Sequence, residues 1–205
     1  MKGRRRARQL ALQALYELDQ SEHPVADVLS GRLETYYRGV LRNQGAELAE
    51  PKQVEALLLS ADLRRDADRP WSALDVDRVA MRFALGSEGL QPALKLLKEH
   101  ETQGAYCVLV VRGVLQNRAA IDAVIARIAP EWPVDQMAPV DRNCLRIALW
   151  EIGASSAPMR VIINEAVELA RRFSGEGARR MVNGALGAFA SSGASLELAG
   201  HEPAS

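Results

Sequence analysis

Lys2, Arg4, Arg5, Arg6 and Arg8 place five cations within the first eight residues, with no acid among them. Cations at that density suit an anionic partner, whose phosphates they would neutralise. An ordinary solvated N-terminus carries the same kind of charge run, so the cluster alone leaves both readings open. Leu10, Ala11, Ala14, Leu15 and Leu18 follow at helical spacing. A helix from about Arg4 to Leu18 would therefore offer a basic head to solvent and an apolar flank to a core.

Catalytic chemistry is harder to find. The chain contains no G-x-G-x-x-G, no phosphate loop ending in Gly-Lys-Ser/Thr and no H-E-x-x-H. His23, His100 and His201 lie far apart, and Cys107 and Cys144 sit in apolar runs with no metal-ligand spacing. The two cysteines read as small packed hydrophobes in a reducing compartment. Glu165 and Glu168 share a helix, where a solvated face or a partner for Arg146 or Arg171 explains them better than an acid–base dyad. Tyr36 and Tyr37 could stack on bases, but aromatics at helical spacing also belong to cores. The pattern favours a binding protein over an enzyme, and no cofactor is expected.

The totals set bounds on what positions these residues. At 205 residues the chain is one domain, or one domain with an insertion. Twenty-six basic and 26 acidic residues cancel, so attraction to a polyanion must come from a local patch. No signal region and no membrane-length apolar run is present, which predicts a cytoplasmic protein away from membranes. Aromatics make up only 5%, and strand-like alternation is confined to Val108–Val111, so the fold class expected is all-α.

The chain divides into three textures. The first helix should end near Asp19 to Glu22, since His23-Pro24 disfavours continuation, and a second is predicted from Val25 to Val40. Residues 41–100 read as an insertion of short helices: Lys52 to Arg65, then a polar break at 66–71, then a piece capped by Ser72 or Asp75, then Leu90 to His100. From Ala105 the apolar density rises, and Val108, Val111 and Leu115 fit a helix in which Gly113 would admit a close neighbour. The helix starting at Pro139 and Asp141 is apolar on more than one face and should be central, with Arg146 in need of a carboxylate. Ser155-Ser156-Ala157-Pro158 reads as a cap before a helix to Phe173, and a last helix spans Ala178 to Ala190. Asn164 and Asn183-Gly184 are unusual helix-interior residues, explained by a helix-to-helix hydrogen bond and a close contact. Residues 191–205 are too poor in apolar side chains to fold and are expected to be disordered.

Two runs in the last third carry a family resemblance. They are Asp141-Arg142-Asn143-Cys144-Leu145-Arg146-Ile147-Ala148-Leu149-Trp150-Glu151, and Val161-Ile162-Ile163-Asn164-Glu165-Ala166 continuing to Phe173 and closing at Met181-Val182-Asn183-Gly184. With Arg5-Arg6-Ala7-Arg8, Gln13-Ala14-Leu15-Tyr16 and Trp132, they resemble the NusB family of bacterial transcription antitermination factors over residues 4–40 and 101–190. The resemblance implies a single NusB-like domain over 1–190, two three-helix bundles with 41–100 as a helical insertion longer than relatives carry. It implies no catalysis. It implies binding of the single-stranded boxA element of nascent ribosomal RNA together with NusE, a small-subunit ribosomal protein, within the antitermination complex on RNA polymerase, and it admits a homodimer.

Carried over by position, Arg4, Arg5, Arg6 and Arg8 match the RNA-contacting start, which Lys2 extends. Arg179, Arg180 and Met181 match the start of the last helix, beside the RNA. The family commonly has an aromatic where Met181 stands. Tyr16 and Asp141 match positions facing NusE, although core packing would equally explain the first and a helix cap the second. Two other readings remain: a helical protein-interaction module without RNA binding, and a piece related to the NusB-like domain of a ribosomal-RNA cytosine methyltransferase.

Overall fold

The computed structural model describes residues 2–44, 50–65, 67–72, 74–88 and 90–199. Among these residues the fold is all-α, without a strand. The helices are α1 (Lys2–Gln20), α2 (Val25–Gln44), α3 (Pro51–Ser60), α4 (Val76–Phe83), α5 (Leu90–Gln116), α6 (Arg118–Ile128), α7 (Pro139–Ala154), α8 (Met159–Phe173) and α9 (Glu176–Ser191). They form two compact units. Met1–Leu10 and Ser21–Val108 make the first; Ala11–Gln20 and Leu109–Ser205 make the second. Thus α1 and α5 each contribute a segment to both.

The first unit is built around Leu29, Leu33, Tyr37, Leu57, Trp71, Leu90 and Leu97, all of them buried. α3 packs on α2 and α4. It starts where Pro51 fixes its first turn and the Gln53 side chain accepts the Glu50 N–H at 2.8 Å. Asp75 caps α4 by accepting the N–H groups of Asp77 and Arg78, as the sequence predicts for one of its two candidates. The stretch read as a polar break is more than that. Trp71 in it is fully buried, with the Tyr37 ring edge-on at 5.0 Å. Its N–H and that of Ser72 donate to the buried Glu101 carboxylate at 2.8 and 3.0 Å, and the Ser72 hydroxyl donates to the other oxygen. A turn with no helix of its own is thereby tied to α5. Nor does the chain break near residue 100: α5 runs unbroken for 27 residues, through the Val108–Val111 run. Asp66, the first residue of the predicted polar break, lies outside the described residues.

In the second unit α7 is the central element, as its multi-faced apolar pattern predicts. Every residue from Asn143 to Glu151 is buried. α8 packs on α7 and α9, and α6 packs on both α7 and α9. The Trp150 side chain of α7 lies against α5 at Gly113, where a Cβ would overlap its indole. The predicted serine cap is displaced: Ser155 ends α7, and Pro158 occupies the N-cap of α8. Residues 192–199 continue beyond α9 without helix, and the Ala199 N–H donates to Asn117 Oδ1 at 2.7 Å. Residues 200–205 of the tail, with His201, lie outside the described residues.

Arg146 finds its carboxylates in this unit. Its side chain is 3% exposed and makes a two-pronged contact with Asp122, at 2.7 and 2.8 Å. Asp19, near the end of α1, stands 3.3 Å from Arg146 and 3.0 Å from Arg142, and accepts from Asn143 at 3.0 Å. Arg118 closes the other side at 3.3 Å. Burial alone would raise the Asp19 carboxyl. Hydrogen bonds from Arg142 and Asn143 and the charges of Arg146 and Arg142 outweigh it and hold the group below the ordinary carboxylate range. The alternative partner, Glu168, pairs with Arg171 on the exposed face of α8 at 2.9 Å.

Candidate nucleic-acid interface

The predicted basic head is helical from Lys2 onward, and Arg4, Arg5 and Arg6 are exposed on it. The side chain of Lys2 lies outside the described residues. Arg8 departs from expectation: at 5% exposure it is buried, so it belongs to the support of the head rather than to its surface. Helix geometry explains the split. Ala11, Leu12 and Leu15 are buried, and at 3.6 residues per turn Arg8 falls among them.

Two of the exposed cations are braced by aromatic rings. The Arg4 guanidinium lies 5.3 Å from the centroid of Tyr106, and that of Arg6 lies 5.7 Å from that of Tyr36. Arg6 also donates to Gln9 at 3.2 Å. Such contacts limit the rotamers of a long side chain, so less freedom is lost when it meets a phosphate. Beside them, in the first unit, is an open cleft of about 480 Å³. Gly3 and Arg6 line it from α1; Thr35, Tyr36, Gly39, Val40 and Asn43 from α2; His100 and Gln103 from α5. His100 donates from Nδ1 to the Leu96 carbonyl at 3.0 Å. Burial raises the Tyr36 hydroxyl to about 12 despite the Arg6 charge, so it stays protonated near neutrality. Tyr36 and Tyr37 are themselves buried, at 7% and 0% exposure, which settles them as core residues with one ring under Arg6. The polar residues of this cleft carry no sequence signal, because α2 and α5 bring them together only on folding.

The remaining assigned residues belong to the second unit. Arg179 and Arg180 are exposed at the start of α9, and Met181 is half-buried there. Arg179 pairs with Glu176 at 3.1 Å. Gly184 does not make the predicted close contact: it is exposed, and a Cβ on it would meet nothing within 4 Å. Asn164 and Asn183 are exposed too, and among the described residues neither side chain makes the predicted helix-to-helix hydrogen bond. Tyr16 is 44% exposed, against the core-packing alternative. Asp141 stands in the first turn of α7, where its charge suits the helix dipole, but Ala138 is the N-cap. Its Oδ1 is buried without a hydrogen-bond partner.

Both cysteines are fully buried, and burial pushes the Cys107 thiol up to about 12 and raises that of Cys144. Among the described residues no helix is long and apolar enough to cross a membrane.

Comparison with known proteins identifies the family. The family model described as "NusB family" matches residues 78–191. A transcription antitermination protein NusB from Anaeromyxobacter dehalogenans is 31% identical over 189 residues, covering 92% of this chain and 90% of that protein. Another, from Herpetosiphon aurantiacus, is 52% identical over 81 residues, covering 38% of this chain and 56% of its own length. A chain of a crystal structure titled for a plectonemic RNA supercoil shares the fold at a TM-score of 0.53 and 17% identity, covering 94% of this chain and 96% of that one. The family match spans more than half of the chain, and the first relative aligns over nearly all of it: the chain belongs to the NusB family of transcription antitermination proteins.

Proposed function

We propose that the protein binds the single-stranded boxA element of nascent ribosomal RNA and does so with NusE, as part of the antitermination complex on RNA polymerase in the cytoplasm. The observation that carries this reading is the exposed Arg4-Arg5-Arg6 head, with two of its guanidiniums braced on Tyr106 and Tyr36. A chain with no net charge gathers five cations and no acid in its first eight residues, and a polar cleft of about 480 Å³ lies beside Arg6. Phosphate contacts from these arginines would position a strand, and the polar groups of the cleft would contact base edges. Arg179, Arg180 and Met181, in the second unit, are also assigned to RNA, and Lys2 extends the head. Arg8, being buried, positions the helix. Tyr16, exposed on α1, and Asp141 are assigned to the surface that meets NusE.

The match over 90% of an antitermination protein favours this reading over a methyltransferase-related piece. Fluorescence anisotropy with boxA RNA, with and without NusE, tests it. The expected result is binding by the protein alone that tightens when NusE is added. Absence of binding in both cases would leave a protein-interaction module. Binding without any effect of NusE would remove Tyr16 and Asp141 from a partner surface.

A further inference from the structure

α8 and α9 each carry an asparagine in the helix interior, a residue type that favours caps and turns because its side chain competes for backbone hydrogen bonds. Both Asn164 and Asn183 are exposed, and neither side chain has a hydrogen-bond partner among the described residues. Packing and local hydrogen bonding thus give no reason for either. The two converge on one open cleft of about 520 Å³, shared with Val167, Glu168, Arg179 and Arg180. Glu168 is held by Arg171 at 2.9 Å and Arg179 by Glu176 at 3.1 Å. Arg180, exposed, stands in no ion pair among the described residues.

The donor set discriminates among ligands. A site for phosphate alone needs donors only, and a carbonyl oxygen in it would repel the anion. Each carboxamide instead offers a donor and an acceptor side by side, the arrangement that pairs with the edge of a nucleobase. A protein partner would be expected to meet a large aromatic or aliphatic anchor, and Val167 is the only apolar lining residue. We propose that Asn164 and Asn183 read one unpaired base of the bound RNA, while Arg180 neutralises the adjoining phosphate. This rests on the RNA-binding reading and adds to it a source of sequence selectivity.

The test is a series of boxA RNAs with single-base changes, titrated at fixed salt against the full chain, Asn164→Ala/Asn183→Ala, the isosteric Asn183→Asp, and Arg5→Ala/Arg6→Ala. The unmodified chain should lose about tenfold in affinity when the base at one position is changed. The double alanine variant and Asn183→Asp should lose that discrimination at the same position while still binding RNA. Alanine is the better helix former, so the thermal midpoint of the double variant should not fall. Retained discrimination in both asparagine variants overturns the proposal, as does a lowered midpoint with discrimination intact. If the arginine variant weakens binding while the asparagine variants match the unmodified chain, this inference falls and the RNA reading stands. No binding of any RNA by the unmodified chain removes both.

Discussion

Two residues far apart in sequence set the acid stability of the second unit. The run from Asp141 to Glu151 shows that Arg146 must be buried, and a buried guanidinium requires a carboxylate. It cannot show which one, because Asp19 is 127 positions away and looks like a polar residue ending a helix. The structure gives Asp19 three guanidinium neighbours and a side chain only 5% exposed. Replacing it by Ala leaves Arg142 and Arg146 short of a counter-charge in a dry setting, a change expected to cost on the order of 3–5 kcal/mol in chemical denaturation. The sign of the pH effect follows from the lowered carboxyl. Its stabilisation is complete above the unfolded-state value and is lost as pH falls through the folded one. The unmodified protein should therefore lose stability from about pH 4 downward, whereas Asp19→Asn should show a lower plateau and a shallower acid limb. An unchanged acid limb in Asp19→Asn would place the acid sensitivity elsewhere. By contrast the Arg171–Glu168 pair, near half exposure on both sides, is screened by solvent and contributes little to stability. Met181 marks a different kind of residue-scale gap. If the start of α9 lies beside RNA, Met181→Phe restores a stacking surface and should tighten binding by roughly fivefold or more in the same anisotropy assay, since an aromatic stack contributes about 1–3 kcal/mol per base.

At the scale of elements, periodicity exposes helices whose apolar residues line one face and hides what depends on neighbours. The first two helices, the central α7 and the last two are all legible to within a turn or so, because 3.6-residue spacing is strong in them. The division at residue 100 is not real, since a change in texture along a helix is not a change in backbone: the polar half of α5 continues into the apolar half. Trp71 escapes because a turn surrounded by Asp and Arg gives no sign that Glu101 will bind its backbone. Glycines show the same limit. Gly113 and Gly184 both sit inside helices, and spacing alone suggests a close contact at each. The structure separates them, so one substitution should act with opposite signs. Gly113→Ala drives a methyl into the buried Trp150 indole and should destabilise by about 1–3 kcal/mol. Gly184→Ala adds a methyl in open space and a better helix former, and should stabilise by up to about 1 kcal/mol. Thermal melts of the two variants decide the matter; a shared sign would mean that the approach of α5 to α7 at Trp150 does not constrain the fold.

For the whole molecule, the absence of net charge makes salt dependence an unusually clean probe. A strongly basic protein is drawn to any polyanion, and its salt response mixes that field with specific contacts. Here 26 bases offset 26 acids, so a salt-dependent affinity must report cations held locally against phosphates. Single-stranded ligands release about 0.7 counterion per phosphate neutralised, so three exposed arginines at the head of α1 contribute a slope of about −2 to log affinity against log salt. Arg179 and Arg180, if they also engage, carry the total to about −3 or somewhat beyond. Arg5→Ala/Arg6→Ala should flatten the slope by about 1.4, two contacts' worth, and lower affinity most at low salt. Because both side chains are exposed, the variant should keep the melting temperature of the unmodified chain. Arg8→Ala should behave the other way: its side chain is buried on the apolar face of α1, so the melt should drop while the slope stays within one contact of its starting value. A slope unchanged by Arg5→Ala/Arg6→Ala would detach the N-terminal head from the RNA and leave the α9 cations as the only phosphate contacts assigned here. A slope flattened as much by Arg8→Ala as by the pair would mean that Arg8 leaves its buried position when RNA binds.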